Sequence, residues 1–119
     1  MTRIEQYLTR AIELDALTLN ETCAICAAME GHFVEFTSIG VFIPISPGCC
    51  GRADNYLNNG TAALRLVERF EISLDCDGEW MAIINYKNEM VDHVAEFAAT
   101  PQAAIVACVC ALARERWNG

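Results

Sequence analysis

The 119-residue sequence predicts an α+β fold: an antiparallel sheet of about five strands with helices packed on it. Three observations carry that expectation. Strand-like runs come in pairs joined by short turns, so hairpins dominate and no strand–helix–strand alternation is visible. Stretches of helical apolar period carry recognisable caps. Hydrophobic residues make up 54% of the chain and charged ones 20%, which is ample material for a buried core.

The elements follow in the order α-α-β-β-α-β-β-β-α. Thr2 with Glu5 forms a capping box, and Ile4, Leu8, Ala11 and Ile12 recur at helical spacing, which predicts a helix to about Leu17. Asn20 is placed to cap a second, short helix through Glu30, with Gly31 ending it. His32 to Thr37 and Val41 to Ile45 read as a hairpin around Ser38-Ile39-Gly40, closed by Pro44 and Pro47. An irregular, glycine-rich block follows. Asn59 or Thr61 then caps a helix over Ala62 to Arg69, with Ala63, Leu64 and Val67 on one side.

From Phe70 to Cys76 apolar and polar residues alternate, which predicts a strand with one buried face and with Glu71 and Asp75 on the solvent side. Asp77-Gly78 signals a tight turn, and Trp80, Ala82, Ile84 and Tyr86 alternate on the return. Lys87-Asn88-Glu89 reads as a loop and Val91 to Ala98 as a further strand. Thr100 caps a last helix with Pro101 at its first position, running to about Arg116, where Arg114 and Arg116 suit the dipole. Between Ala103 and Ala113 that helix is apolar nearly all round. It should therefore be covered on two sides, by the sheet and by a partner or a second copy.

The charge balance narrows the function. Sixteen acids against eight Lys and Arg give a net charge of −8. That removes the basic footprint of a nucleic-acid binder and disfavours an anionic membrane surface. No apolar run is long enough to span a bilayer. Seven cysteines and the polar start Met-Thr-Arg-Ile-Glu-Gln predict a cytoplasmic protein with reduced thiols.

Three segments resemble one family. "YLNNGTAALRLVE" (56–68) is a tyrosine and short polar loop entering a helix that ends Leu-Val-Glu. "FEISLDCDGEWMAIINY" (70–86) is a hairpin whose return strand opens on tryptophan, and "TPQAAIVACVCAL" (100–112) starts a terminal helix rich in Ala, Ile and Cys. Together they resemble the phage α-β-α (ABA) sandwich domain family, including its NinX-like group of small phage and prophage proteins. The likeness covers about half of the chain. It departs at Leu64, where family members often carry an aromatic residue. The resemblance implies an α/β/α layering, a phage or prophage accessory protein in the host bacterial cytoplasm, and a counter-defence purpose. It implies no catalytic residues.

Cys23 and Cys26 have the separation of a metal-binding pair, but two cysteines are half a zinc set, and Cys49, Cys50 and His32 stand at unsuitable spacings. On a helix the pair shares a face with Ala27, which reads as core. Cys108 and Cys110 point about 160° apart on their helix and cannot grip one ion. Cys49 and Cys50 would serve as nucleophiles only with a lowered pKa and a base, and nothing brings His32 or His93 near. Glu71, Asp75, Asp77 and Glu79 offer paired carboxylates but read as an acidic solvated hairpin.

The block Pro47-Gly-Cys-Cys-Gly-Arg-Ala-Asp-Asn-Tyr-Leu-Asn-Asn-Gly60 stands apart. Its glycines would expose backbone N–H groups to an anion, Arg52 adds a forked donor, and Asn55, Tyr56, Asn58 and Asn59 suit a base. The competing reading is a plain connector, since turns use Gly and Asn regardless of function.

The sequence thus predicts a non-enzymatic protein without cofactor or metal, acting as a homo-oligomer. In the leading expectation it sequesters a small nucleotide-like signal at a subunit seam, with Arg52, Asn55, Tyr56, Asn58, Asn59 and Arg65, or Arg69, lining the pocket. The alternatives are an acidic inhibitor of a host defence protein and, third, a thiol-dependent enzyme.

Overall fold

A computed structural model describes residues 18–37, 40–85 and 93–118 of the chain. The predicted first helix, the Ser38-Ile39 turn and the 87–89 loop lie outside the described residues, as do the side chains of Arg116 and Trp117.

Helix α1 (Leu19–Met29) starts two residues earlier than a cap at Asn20 would place it. Thr18 is the cap: its hydroxyl accepts from the Glu21 amide at 3.2 Å, and the Glu21 carboxylate reaches back toward the Thr18 N–H at 3.5 Å. That reciprocal pairing satisfies two donors where Asn20 would satisfy one, so Asn20 lies inside the first turn. The end falls where expected. Gly31 donates to the Ala28 carbonyl at 3.0 Å and His32 to that of Ala27 at 3.1 Å.

Strands β1 (Glu35–Thr37) and β2 (Gly40–Ser46) form the expected hairpin. Pro44 does not close β2; it pairs with Cys50, and the register slips between Pro44 and Ser46. A proline has no N–H to give the ladder, and a bulge absorbs the gap. The chain then turns at Pro47-Gly48, where Gly48 takes φ 76°, and returns as β3 (Cys49–Arg52). The first part of the irregular block is therefore a strand. Phe42 pairs with Arg52 and Ile43 with Gly51.

Helix α2 (Gly60–Phe70) is capped by Asn59, whose side-chain oxygen accepts from Ala62 N at 3.1 Å. It buries Ala62, Ala63 and Leu66. Leu64, expected on the core side, is 59% exposed because it lies about 160° around the helix from Leu66. Phe70 and Glu71 belong to the helix end and its cap, so the next strand starts two residues later than the alternation suggests.

That strand, β4 (Ile72–Asp77), pairs with β5 (Glu79–Asn85), which pairs with β6 (His93–Ala98), all antiparallel. Ile72, opposite Ile84, is buried, but Leu74 opposite Ala82 and Cys76 opposite Trp80 are exposed, so of the expected buried face only the first residue reaches the core. The α+β class holds, with antiparallel strands throughout. The described strands number six and divide into two three-stranded sheets, β1-β2-β3 and β4-β5-β6, where the sequence suggested one sheet of about five. The extra strand is β3, and β3 and β4 share no ladder: α2 intervenes between them in the chain.

Helix α3 (Pro101–Asn118) starts as expected, with the Thr100 hydroxyl accepting from Ala103 N at 3.2 Å. It is the centre of the core. Ala104, Ile105, Val106, Cys108, Val109, Cys110, Leu112 and Ala113 are all buried. It packs on β5 and β6 and also on α1 and α2. Its two cysteines show the layering. Cys108 meets the backbone of Ile84 on β5, whereas Cys110 meets Cys26 on α1. The second cover over this apolar helix comes from α1 and α2 of the same chain.

Candidate functional site

The residues expected to line one pocket divide into two groups. The first is a polar clamp at the end of α1. Tyr56 is 1% exposed, and its hydroxyl donates to Glu30 Oε1 at 2.5 Å. Arg65 Nε donates to Glu30 Oε2 at 3.2 Å, and Arg65 Nη2 to Asp54 Oδ2 at 2.6 Å. Arg69 Nε donates to the Met29 carbonyl at 3.1 Å.

The clamp has an electrostatic logic. Glu30 puts a negative charge at the negative end of α1, where the helix dipole disfavours it. Two arginines of α2 and the Tyr56 hydroxyl compensate. Burial, then the Glu30 bond, pushes the Tyr56 phenol well above its ordinary value. The carboxylates of Glu30 and Asp54 hold the Arg65 guanidinium still more firmly protonated. Tyr56 and Arg65 are thus engaged with Glu30 and Asp54 in holding the end of α1 against α2.

The asparagines are also largely engaged. Asn55 Oδ1 accepts from Leu57 N at 3.2 Å, and its carbonyl accepts from the amides of Asn58 and Asn59. These bonds fold 55–59 into a turn. Asn59 caps α2, and Asn58 is exposed on the turn.

The second group is a cleft of about 130 Å³ between the start of α1 and the β2–β3 hairpin. Leu19, Asn20, Cys23, Gly40, Val41, Arg52, Ala53 and Asn55 line it. Of the predicted six, Arg52 and Asn55 reach it. The Gly-Cys-Cys-Gly-Arg segment is a hairpin strand paired to β2 and not the open loop that was expected. What the cleft offers is two carboxamides, of Asn20 and Asn55, and apolar walls; the Arg52 side chain lies on the Phe42 face of the ladder, opposite Val41 and Ala53. The Arg52 guanidinium rests over the Phe42 ring, 5.7 Å from its centroid. It makes no ion pair or hydrogen bond with any described residue.

Cys23 forms part of the cleft wall and is nearly buried. Burial raises its pKa, with the Tyr56 backbone pulling partly the other way. Cys26 is raised further, first by its bond with the Cys110 thiol and then by burial, and burial pushes Cys108 up to about 12. Neutral thiols are poor nucleophiles and poor ligands. Among the described residues no three His, Cys, Asp or Glu side chains come together as a metal cluster. Cys49 and Cys50 are exposed on β3, with the Cys50 thiol 3.9 Å from a Glu35 carboxylate oxygen. Cys49, Cys50 and Cys76 should therefore react with iodoacetamide in the native protein, while the four buried thiols react only on unfolding. Mass spectrometry of the labelled peptides checks this; native labelling at Cys26 or Cys110 would contradict the packing.

Sequence reasoning missed Glu30, Asp54, Gly40 and Phe42. Glu30 carried a legible signal, an acid at the wrong end of a helix. The others had none, since their roles arise from strand pairing. No protein-family model matches the chain, and no curated protein is significantly similar to it.

Proposed function

We propose that this protein acts by binding, without catalysis, and that its ligand is a small nucleotide-like molecule whose anionic group seats in the cleft between α1 and β3. The observation that supports this reading is Arg52. In a chain of net charge −8, the Arg52 guanidinium, borne by a residue that borders the cleft and stacked over Phe42, makes no ion pair with any described residue. Asn20 and Asn55 line the cleft with hydrogen-bonding capacity. The cleft is open and too small for a whole nucleotide, so a second copy of the chain would supply the remaining walls. The family resemblance suggests the purpose: a phage-encoded protein that removes a host defence signal by holding it.

Calorimetry with nucleoside monophosphates, cyclic nucleotides and ADP-ribose tests the proposal. At least one should bind, and Arg52→Ala should abolish its heat while leaving the unfolding midpoint unchanged. No heat from any of them would overturn the reading.

A second reading has its own observation. Asp75, Asp77 and Glu79 are all exposed on the β4–β5 hairpin, around Gly78. Such a tip suits a basic site on a host protein. Reversing the three charges would then abolish association with that partner and leave nucleotide heats intact.

A further inference from the structure

Resting on the second reading above, we infer that the free edge of β4 docks an extended segment of a partner protein as an added strand, one in which apolar and basic residues alternate. β4 is an outer strand of its sheet, and no described backbone group pairs with its free side. In an antiparallel ladder every second residue points its N–H and C=O away from the neighbouring strand, so this side carries a row of donors and acceptors. The one further hydrogen bond of the strand among the described residues is local, from Cys76 N to Asp75 Oδ1 at 2.8 Å.

Folded proteins blunt such an edge with a proline, a lysine, a bulge or a covering segment. β4 contains no proline and no basic residue, and its register with β5 runs unbroken from Ile72–Ile84 to Asp77–Glu79. Ser73 to Glu79 are all exposed. Apolar side chains follow the edge on one face. Leu74 and Cys76 share the face of Ile72, but α3 packs on β5 and β6 and leaves Leu74 38% exposed. Trp80, opposite Cys76, is half-buried against the core. An added strand would widen this shelf and cover Leu74 with apolar side chains of its own. On the other face stand Asp75 and Asp77, with Glu79 across the turn.

Charge decides the occupant. A second copy meets repulsion in each antiparallel register. Self-pairing centred on Asp75 sets that carboxylate against its counterpart, centring on Cys76 sets Asp75 against Asp77, and centring on Leu74 carries Asp77 to Glu71. The net charge of −8 adds to this. The same carboxylates favour a strand with Lys or Arg opposite Asp75 and Asp77. Such a strand meets backbone partners, an apolar shelf and two acids in one register, the backbone giving affinity and the alternate side chains specificity.

The test is fluorescence anisotropy of the full chain with a short labelled peptide of alternating lysine and valine, at low salt. The peptide should bind, and more weakly as salt rises. Its fully N-methylated version keeps the charges but cannot donate, and should bind at least tenfold more weakly. Leu74→Lys should abolish binding without moving the unfolding midpoint, since that side chain lies outside the core. Asp75→Asn with Asp77→Asn keeps the turn and should weaken binding by about tenfold, the upper end for two exposed ion pairs. Equal binding of the two peptides, or full binding by Leu74→Lys, overturns the added strand and leaves the acidic-hairpin reading intact. No binding of either peptide or of oligolysine overturns both. A dimer in sedimentation that Leu74→Lys dissolves would make a second copy the occupant and overturn the inference.

Discussion

Replacing Leu112 by alanine is expected to lower the unfolding free energy by about 3 kcal/mol, within the ~2–5 kcal/mol spanned by buried leucine truncations. Leu112 is fully buried on α3, and α3 is the element that the second sheet, α1 and α2 share. A cavity there cannot be closed by moving one neighbour without parting another, so relaxation should recover little. With a urea slope of ~1–3 kcal/mol/M, the midpoint should fall by a molar unit or more. Leu64→Ala is the matched control, since its side chain is largely exposed and the same truncation should change stability by less than ~0.5 kcal/mol. Equal effects at the two sites would mean that α3 is not the centre of the core.

The next largest effect should come from Glu30→Ala, at about 2–3 kcal/mol. The substitution leaves the buried Tyr56 hydroxyl without its acceptor, and a buried donor left unpaired costs ~1–3 kcal/mol. It also removes one of the two acids bound by Arg65, a smaller loss because that arginine is partly solvated. Tyr56→Phe should cost only ~1 kcal/mol, since Glu30 keeps Arg65. The pH dependence has a definite sign. The folded-state phenol pKa lies above the ordinary value near 10, so the unfolded chain loses that proton first as the solution becomes alkaline. The contribution is fully present below pH ~10 and declines as pH rises beyond it, by up to ~1.4 kcal/mol per unit. Urea unfolding of wild type and Tyr56→Phe between pH 9 and 11 measures the difference. Parallel stability curves would remove the clamp from the account.

Much of the fold could be read from local pattern. The alternation from Ile72 to Ile84 around Asp77-Gly78 marked the β4–β5 hairpin, and Thr100-Pro101 marked the start of α3. Both are short-range signals, complete within a few residues. The glycine-rich block was misjudged for the opposite reason. Cys49 to Arg52 has weak strand preference, and its conformation comes from pairing with β2, a tertiary choice that local propensity does not encode. The candidate site was half legible. Arg52 and Asn55 stood out by residue type and do reach the cleft. Tyr56 and Arg65 stood out in the same way, but their partners lie 26 and 35 residues away, at Glu30. A side chain suited to a ligand is equally suited to a buried carboxylate, and only the three-dimensional arrangement decides between them.

The separation of the two sheets has a mechanical consequence. With no ladder between β3 and β4, the main contact of the first sheet with the other described elements is that of β2 with α1. Such a unit can open by itself at less than the cost of global unfolding. The cleft lies on that boundary, with α1 on one wall and β2–β3 on the other. An occupant gripping both walls would work as a latch, and part of its binding energy would be read as slower opening of the first sheet while the second sheet and α3 kept their own rate.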